Sequence, residues 1–477
     1  MSKIGSNELK IKDLSFINDI TSIAVIGSSK KRDYFFLKNH AQYFKGPIYA
    51  VHPYVEEIPN FDKRNIFPSL EDIPGDVDFA FIAVPPSQIL STIDACVKKK
   101  VKLVTVFASE FSDSGTEEGI QLERELLNRA QNKIRILGPN GMGLFYPKKG
   151  IAWRPKFPTT PGNIGFIAQS GGICNIAIYG ANAIGINFSK VFSFGNGADV
   201  DFVDLLYFLS NDHETDIILC YLEGINEGRI EDLKSILNQN KKPIIMLKGG
   251  KSKTGSIAAK THTASISGDR RLWDAFFKQY NIIQVKSLEQ LLHTARLIDC
   301  YGIFNLNNMA VFSISGGYGV ILVDLIEKKG ISVPPFSTKI QKRLDSKLLL
   351  PGTSPKNPLD LAAQFFMENA VYEIIEIALS DDIIDGLILD LPSFYLKTIF
   401  KTQDNQTFET NILEALSLAH KYNKPIIPII QRLNSSEERE RIVNKLIEKG
   451  IPVFGDPLEV IPLLSKVSNY KRRIDRS

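Results

Sequence analysis

The sequence contains no uninterrupted run of about 18 apolar residues, so no membrane-spanning helix is expected. Its first residues, MSKIGSNELKIKDL, lack the apolar stretch of a secretory signal, and a cytoplasmic location is the expectation. Cysteine is sparse. Cys96, Cys174, Cys220 and Cys300 lie far apart and form no CxxC pair, which fits reduced, buried thiols better than a zinc site or a disulfide framework, and no metal site is expected. An excess of one charge is also missing. The 57 Lys and Arg stand against 53 Asp and Glu, and the net charge of +4 comes without a basic block or a basic–aromatic alternation, so nucleic acid is not an expected partner. Histidine numbers only six.

What is present is an ordinary globular balance, 23% charged and 44% hydrophobic, over 477 residues. That length exceeds one hydrophobic core and implies roughly two to four domains. From residue 22 onward, short β-rich apolar runs alternate with amphipathic stretches. SIAVIG (22–27), GPIYAVHP (46–53), DFAFIAVPP (78–86), KLVTVFAS (102–109) and IRILGPN (134–140) read as buried strands. SQILSTIDACVKKK (87–100) and GIQLERELLNRAQNK (119–133) read as the helices between them. Such alternation implies parallel β-α-β units, whose ligands bind beyond the C-terminal ends of the strands. The residues just past those ends, Gly27, Ser28, Ser29, His52, Pro53, Val84, Pro85 and Asn140, are therefore candidates for binding.

Two further units begin at NIGFIAQSGG (163–172) and NMAVFSISGGYG (308–319), each a strand, then Ser-Gly-Gly, then a helix. Each later adds two more strands, DIILCYLEGI and KKPIIMLKGG in one, DGLILDLPSF and NKPIIPIIQR in the other. This reads as an internal repeat of two flavodoxin-like domains. The expected division is 1–145, 146–305 and 306–477, an α/β chain throughout. The segments GISVPPFS and LLLPGTSPKNPLDL are rich in Pro and Gly and read as surface loops.

The copies differ after their last strand. The first runs into GKSKTGSIAAKTHTASISG, which carries His262, and the second into the polar, histidine-free QRLNSSEERERIVNKL. A lone loop histidine is ordinarily a solvated surface residue. This loop, however, has few apolar anchors and many hydroxyls, lysines and backbone N–H groups, the groups that bind phosphate. A neutral imidazole is a nucleophile near neutral pH, and a phosphoryl carrier needs a mobile tether and an orienting carboxylate. Glu223, at the end of the 217–222 run, is the candidate for that carboxylate. The turns Gln169-Ser170-Gly171-Gly172 and Ser315-Gly316-Gly317 each open a helix. Glycine pairs there serve tight turns, and free helix N-termini also attract phosphate, so the two turns together are candidate phosphate sites.

Taken in order, SIAVIGSS, VHP, VPPSQ, FASEFSDSG, GPNGMGL, GFIAQSGG, SFGNGADVDFVDLL, YLEGI, KPIIMLKGGKS, KTHTASISG, SGGYGV and NPLDL resemble the alpha subunit of NDP-forming, typically ADP-forming, acyl-CoA synthetases, relatives of succinyl-CoA synthetase. The resemblance covers roughly residues 20 to 465. It implies a Rossmann-like CoA-binding domain followed by two succinyl-CoA-synthetase-like domains. It implies a ligase that interconverts carboxylate, CoA and ATP with acyl-CoA, ADP and phosphate through an acyl phosphate and a phosphohistidine. His262 would be that histidine, steadied by Glu223, with both Ser-Gly-Gly helices facing it. Coenzyme A and a small carboxylic acid are the implied ligands. ATP or ADP with Mg would sit on an ATP-grasp beta subunit, in an α2β2 assembly, because the three domains leave no room for that module. The first loop departs from the family pattern. It reads IGSSKKRDYFFLKN, with no second glycine before Gly46, and Lys30, Lys31 and Arg32 stand as candidates for the CoA phosphates. Gly141 occupies the GPNG position where cysteine is common. Two other readings stay open: a non-catalytic CoA-binding regulatory protein of the same fold, and a nicotinamide-dependent oxidoreductase. The second lacks GxGxxG and an acidic end to its second strand.

Overall fold

The computed structural model describes residues 9–54, 57–250, 252, 254, 270–367, 369–392, 405–432 and 437–476. Contacts divide the chain into two compact units, 1–291 and 292–477. His262 and most of its loop lie outside the described residues.

The first unit contains two six-stranded sheets. In the first, β1 (Ile23–Ile26), β2 (Ile48–Val51), β3 (Ile66–Phe67), β4 (Phe79–Ile82), β5 (Leu103–Val106) and β6 (Arg135–Leu137) run in parallel in the order β3-β2-β1-β4-β5-β6. Strands β1, β4 and β5 are buried at every position, which explains their unbroken apolar runs: a parallel sheet is covered on both faces. Among the helices that cover it are α1 (Phe35–Tyr43), α2 (Pro86–Lys99) and α3 (Glu117–Ala130). Proline at the start of α2 costs no hydrogen bond there. The Thr116 hydroxyl accepts the Gly119 N–H at 3.1 Å and caps α3, whose first turn carries Glu117 and Glu118 on the positive end of the helix.

The second sheet has the order β12-β11-β10-β8-β9-β7, formed by β7 (Gly143–Phe145), β8 (Ile164–Ala168), β9 (Phe188–Ser193), β10 (Ile217–Leu222), β11 (Ile244–Lys248) and β12 (Ile283–Val285). Only β7 is antiparallel among these described strands, on β9. Helix α4 (Gly171–Ala183) follows β8.

Among its described residues the second unit has one four-stranded parallel sheet, β14-β13-β15-β16, from β13 (Met309–Ser313), β14 (Leu359–Asp360), β15 (Gly386–Asp390) and β16 (Ile426–Ile429). The order β11-β10-β8-β9 of the first copy thus recurs as β16-β15-β13-β14. The NPLDL segment does not remain a loop. Its Leu359–Asp360 pairs with β13 as the edge strand β14. The α/β class and the tandem flavodoxin-like arrangement are both present in these sheets.

Candidate functional site

A cavity of about 790 Å3 opens along the C-terminal edge of the first sheet. The loops after β1, β2, β4, β5 and β6 all contribute. Of the residues singled out from the sequence, Gly27, Ser28, Ser29, His52, Pro53, Val84, Pro85 and Asn140 line it. Of the three exposed cations Lys30, Lys31 and Arg32, all candidates for the CoA phosphates, only Arg32 lies within the lining. The reason is local geometry. Residues Lys30–Arg32 form one 3-10 turn, and Asp33 and Tyr34 follow with left-handed φ of 48° and 52°. Nothing in a KKR triplet says which cation such a turn directs inward. Phe35, Phe36 and Phe107 also line the cavity, and Phe36 packs at 4.8 Å from the Phe107 ring centroid.

Gly27 is required where it stands. Its φ is +89°, and a Cβ there would lie 2.6 Å from Val84 Cγ1 and 2.9 Å from the Ala83 carbonyl. The Ser28 hydroxyl is 5% exposed and has no hydrogen-bond partner, a group that a ligand can satisfy. Partial burial holds the His52 imidazole below its usual pKa, and its Nδ1 accepts the Tyr54 N–H at 3.2 Å. Such a histidine is neutral at pH 7. Asn140 stands at a left-handed φ of 57°, and its N–H donates to the Ala108 carbonyl at 2.8 Å.

The far end of the cavity abuts the second sheet through Gly138–Met142. A side chain on Gly141 would meet the Ser193 carbonyl at 2.8 Å, so glycine is what this packing admits. The Met142 N–H donates to Ser193 Oγ at 3.1 Å, and its side chain fills the place where a Cβ on Gly171 would be, 2.5 Å from Met142 Cγ. Met142, two residues beyond the lining residue Asn140, is therefore in direct contact with the first residue of α4.

At that edge of the second sheet, Ser170 caps α4 by accepting the Ile173 N–H at 3.4 Å. The Glu223 N–H donates to Gln169 Oε1 at 2.9 Å, and the Gln169 N–H donates to the Tyr221 carbonyl at 3.2 Å. The Tyr221 hydroxyl donates to Glu223 Oε1 at 2.9 Å. Burial and the neighbouring carboxylate push the Tyr221 phenol up, so it stays a donor. Lys248 ends β11 and donates to the Glu223 and Gly249 carbonyls, each at 2.6 Å. These contacts fix the Glu223 backbone and one carboxylate oxygen. Gln169, Ser170, Gly171, Gly172 and Glu223 are thus brought together, beside the strand that leads into the histidine loop.

Ser315, Gly316 and Gly317 open the helix Gly316–Glu327 in the second unit, with Ser315 as its N-cap. Matching the two Ser-Gly-Gly turns puts Ser313 level with Ala168. Asp390 then stands where Tyr221 stands in the first copy. Asp390 is fully buried. It accepts from Ser313 Oγ at 2.9 Å and Gln431 Nε2 at 2.8 Å, and burial raises its pKa to about 6 despite those donors. The Ser313 hydroxyl also accepts the Ser315 N–H at 3.1 Å. Here the strand-end acid holds the turn. The sequence signal for it was an aspartate at the end of an otherwise apolar strand.

The CoA binding domain family model matches residues 21–147, and the succinyl-CoA ligase like flavodoxin domain matches residues 161–298. The chain is 32% identical over 453 residues to acetate–CoA ligase [ADP-forming] II subunit alpha of Pyrococcus furiosus, covering 94% of this chain and 95% of that one. It is 31% identical over 464 residues to acetate–CoA ligase [ADP-forming] I subunit alpha of the same organism, covering 94% and 96%. Acetate–CoA ligase [ADP-forming] I of Archaeoglobus fulgidus is longer: 31% identity extends over 94% of this chain but 62% of that protein. Among solved structures, the apo form of the dinucleotide-forming acetyl-coenzyme A synthetase 1 of Ca. Korarchaeum cryptofilum superposes with a TM-score of 0.82 at 28% identity, covering 96% of this chain and 98% of that one. With the two Pyrococcus furiosus alpha subunits matched along nearly their whole length, the chain belongs to the family of ADP-forming acetate–CoA ligase alpha subunits.

Proposed function

We propose that this chain is the alpha subunit of an ADP-forming acyl-CoA synthetase and that its chemistry runs through His262. The observation that carries the reading is the junction at Met142. There the chain, two residues past Asn140 in the lining of a cavity in a CoA-binding domain, touches the opening residue of α4, next to Glu223. Coenzyme A lying in the cavity with its thiol toward Asn140 has its reactive end beside a helix N-terminus suited to phosphate.

In the direction of synthesis, the imidazole of His262 attacks the γ-phosphorus of ATP and ADP leaves. The Glu223 carboxylate accepts the hydrogen bond from the other ring nitrogen, which orients the ring and steadies the cation that forms. A substrate carboxylate oxygen then attacks the phosphorus of phosphohistidine, giving an acyl phosphate and freeing the imidazole. The CoA thiolate attacks the acyl carbon, the C–O bond to phosphate breaks, and inorganic phosphate departs. N–H groups at the start of α4 stabilise the phosphoryl oxygens during these transfers, and the turn Ser315-Gly316-Gly317 is a second candidate phosphate site. Coenzyme A contacts Gly27, Ser28, Ser29, His52, Pro53, Val84, Pro85, Asn140 and Arg32. The nucleotide, with its magnesium, binds an ATP-grasp beta subunit in an α2β2 assembly. The functional division of the chain is 1–145, 146–305 and 306–477. The regulatory alternative has no use for a carboxylate held as Glu223 is.

The test is reconstitution. The chain mixed with the beta subunit, ATP, CoA and acetate forms the thioester, followed by its ultraviolet absorbance. The chain alone binds CoA and makes no thioester from ATP. Full turnover of ATP by the chain without a partner would overturn the two-subunit reading.

A further inference from the structure

We propose that Tyr54 is the stacking platform for the adenine base of coenzyme A, which makes it the residue that distinguishes the whole coenzyme from its pantetheine fragments. The inference rests on the reading of the cavity as the coenzyme A site. Coenzyme A is an elongated molecule with a thiol at one end and adenine at the other. On that reading the thiol end lies at Asn140, because Met142, two residues beyond this lining residue, contacts Gly171 at the start of α4. The adenine then lies at the opposite end of the same edge, beyond β2 and β3. Sheets with the order β3-β2-β1-β4-β5-β6 place the adenosine half of a dinucleotide on that side.

At that end the lining includes Tyr54 and Ser69. Tyr54 is 88% exposed, although a tyrosine ring is a large apolar surface. Its nearest aromatic neighbour, His52, meets it at 6.2 Å and 70°, edge to face, which leaves a broad ring face open. Its backbone is held, since its N–H donates to His52 Nδ1. An open ring face at the mouth of a nucleotide cavity matches the flat π surface of a purine. Glu71 lines the same region and supplies an acceptor for an exocyclic amine.

The experiment is calorimetric titration of the full chain with CoA, dephospho-CoA and 4′-phosphopantetheine. Tyr54→Ala is expected to weaken CoA and dephospho-CoA by about tenfold each, the size of one lost base stack, and to leave 4′-phosphopantetheine unchanged. Tyr54→Phe is expected to bind all three like the wild type, because the ring and not the hydroxyl is used. Equal weakening of 4′-phosphopantetheine, unchanged CoA binding in Tyr54→Ala, or loss of CoA binding in Tyr54→Phe would each overturn the stacking assignment. A wild-type chain that binds neither CoA nor 4′-phosphopantetheine would instead overturn the cavity assignment on which it rests.

Discussion

The backbone N–H of Glu223 donates to the side-chain oxygen of Gln169 across 2.9 Å, tying the end of β10 to the turn that opens α4. This bond makes the carboxylate and the helix N-terminus a single rigid edge. A phosphorylated imidazole brought to it would meet both at once.

His262→Asn retains a polar side chain and removes the nucleophile. With beta subunit and γ-labelled ATP, the wild type is expected to take up acid-labile, base-stable label, and the variant none, while CoA binding persists. Acid-stable label on Ser256, Thr261, Thr263 or Ser265 would sink the phosphohistidine, since those hydroxyls share the loop.

Glu223→Gln keeps the Gln169 contact, which uses the backbone, and removes the charge. Phosphorylation of His262 is expected to slow by roughly 10²–10⁴, the scale of a lost general base or orienting group. Rapid-quench labelling measures it. A rate within a factor of about two of the wild type would leave the carboxylate without a part in the transfer.

The first loop offers a contrast between neighbours. Arg32→Ala removes the cation that lines the cavity, and CoA affinity is expected to fall at least tenfold, since a charge-assisted contact contributes about 1.5–3 kcal/mol. Lys30→Ala with Lys31→Ala removes two exposed charges outside the lining and is expected to cost less. The reverse ranking in a titration would show that the loop turns over when ligand binds.

Asp390 gives a pH prediction. Its pKa is raised in the folded state from 3.8 to about 6 by burial, so folding favours the neutral acid. The associated stability is full below about pH 4 and is lost as the pH rises through 6. Asp390→Asn is neutral throughout. Wild type is expected to lose about 2 kcal/mol relative to that variant between pH 4 and 7.5, at 1.36 kcal/mol per pKa unit. Urea unfolding of both proteins at several pH values measures it, and parallel curves would contradict it.

Most of the framework was legible because buried parallel strands advertise themselves. IAVI, FAFI and LVTV have no polar position to misread save one threonine. Strand β9, FSKVFS, did not. Its lysine argues against burial, yet Lys190 is wholly buried, paired with Asp212 at 2.8 Å and Glu214 at 2.7 Å and set 4.5 Å over the Tyr146 ring. Those partners are distant in sequence, so no local pattern reveals them. The edge strand β14 was hidden by its length of two residues and by the prolines around it. In the candidate site, strand-end positions were readable from topology alone. The KKR triplet was readable as a cation cluster, but not that Arg32 alone of the three lines the cavity, because side-chain direction within a single turn is not written in three adjacent cations.

The recurring strand order gives the chain an internal control, a diverged duplicate of the edge that carries Gln169 and Glu223. Carrying the register two residues past Asp390 sets Pro392 opposite Glu223, and one residue past Ser313 sets Ile314 opposite Gln169. Isoleucine has no side-chain acceptor, and proline has neither an N–H nor a carboxylate. Both ends of the Gln169–Glu223 bond are therefore missing together in the second half, while the glycine turn and the sheet survive. The second copy thus keeps a helix N-terminus open at its glycine turn and does without the carboxylate that the first copy ties beside its own.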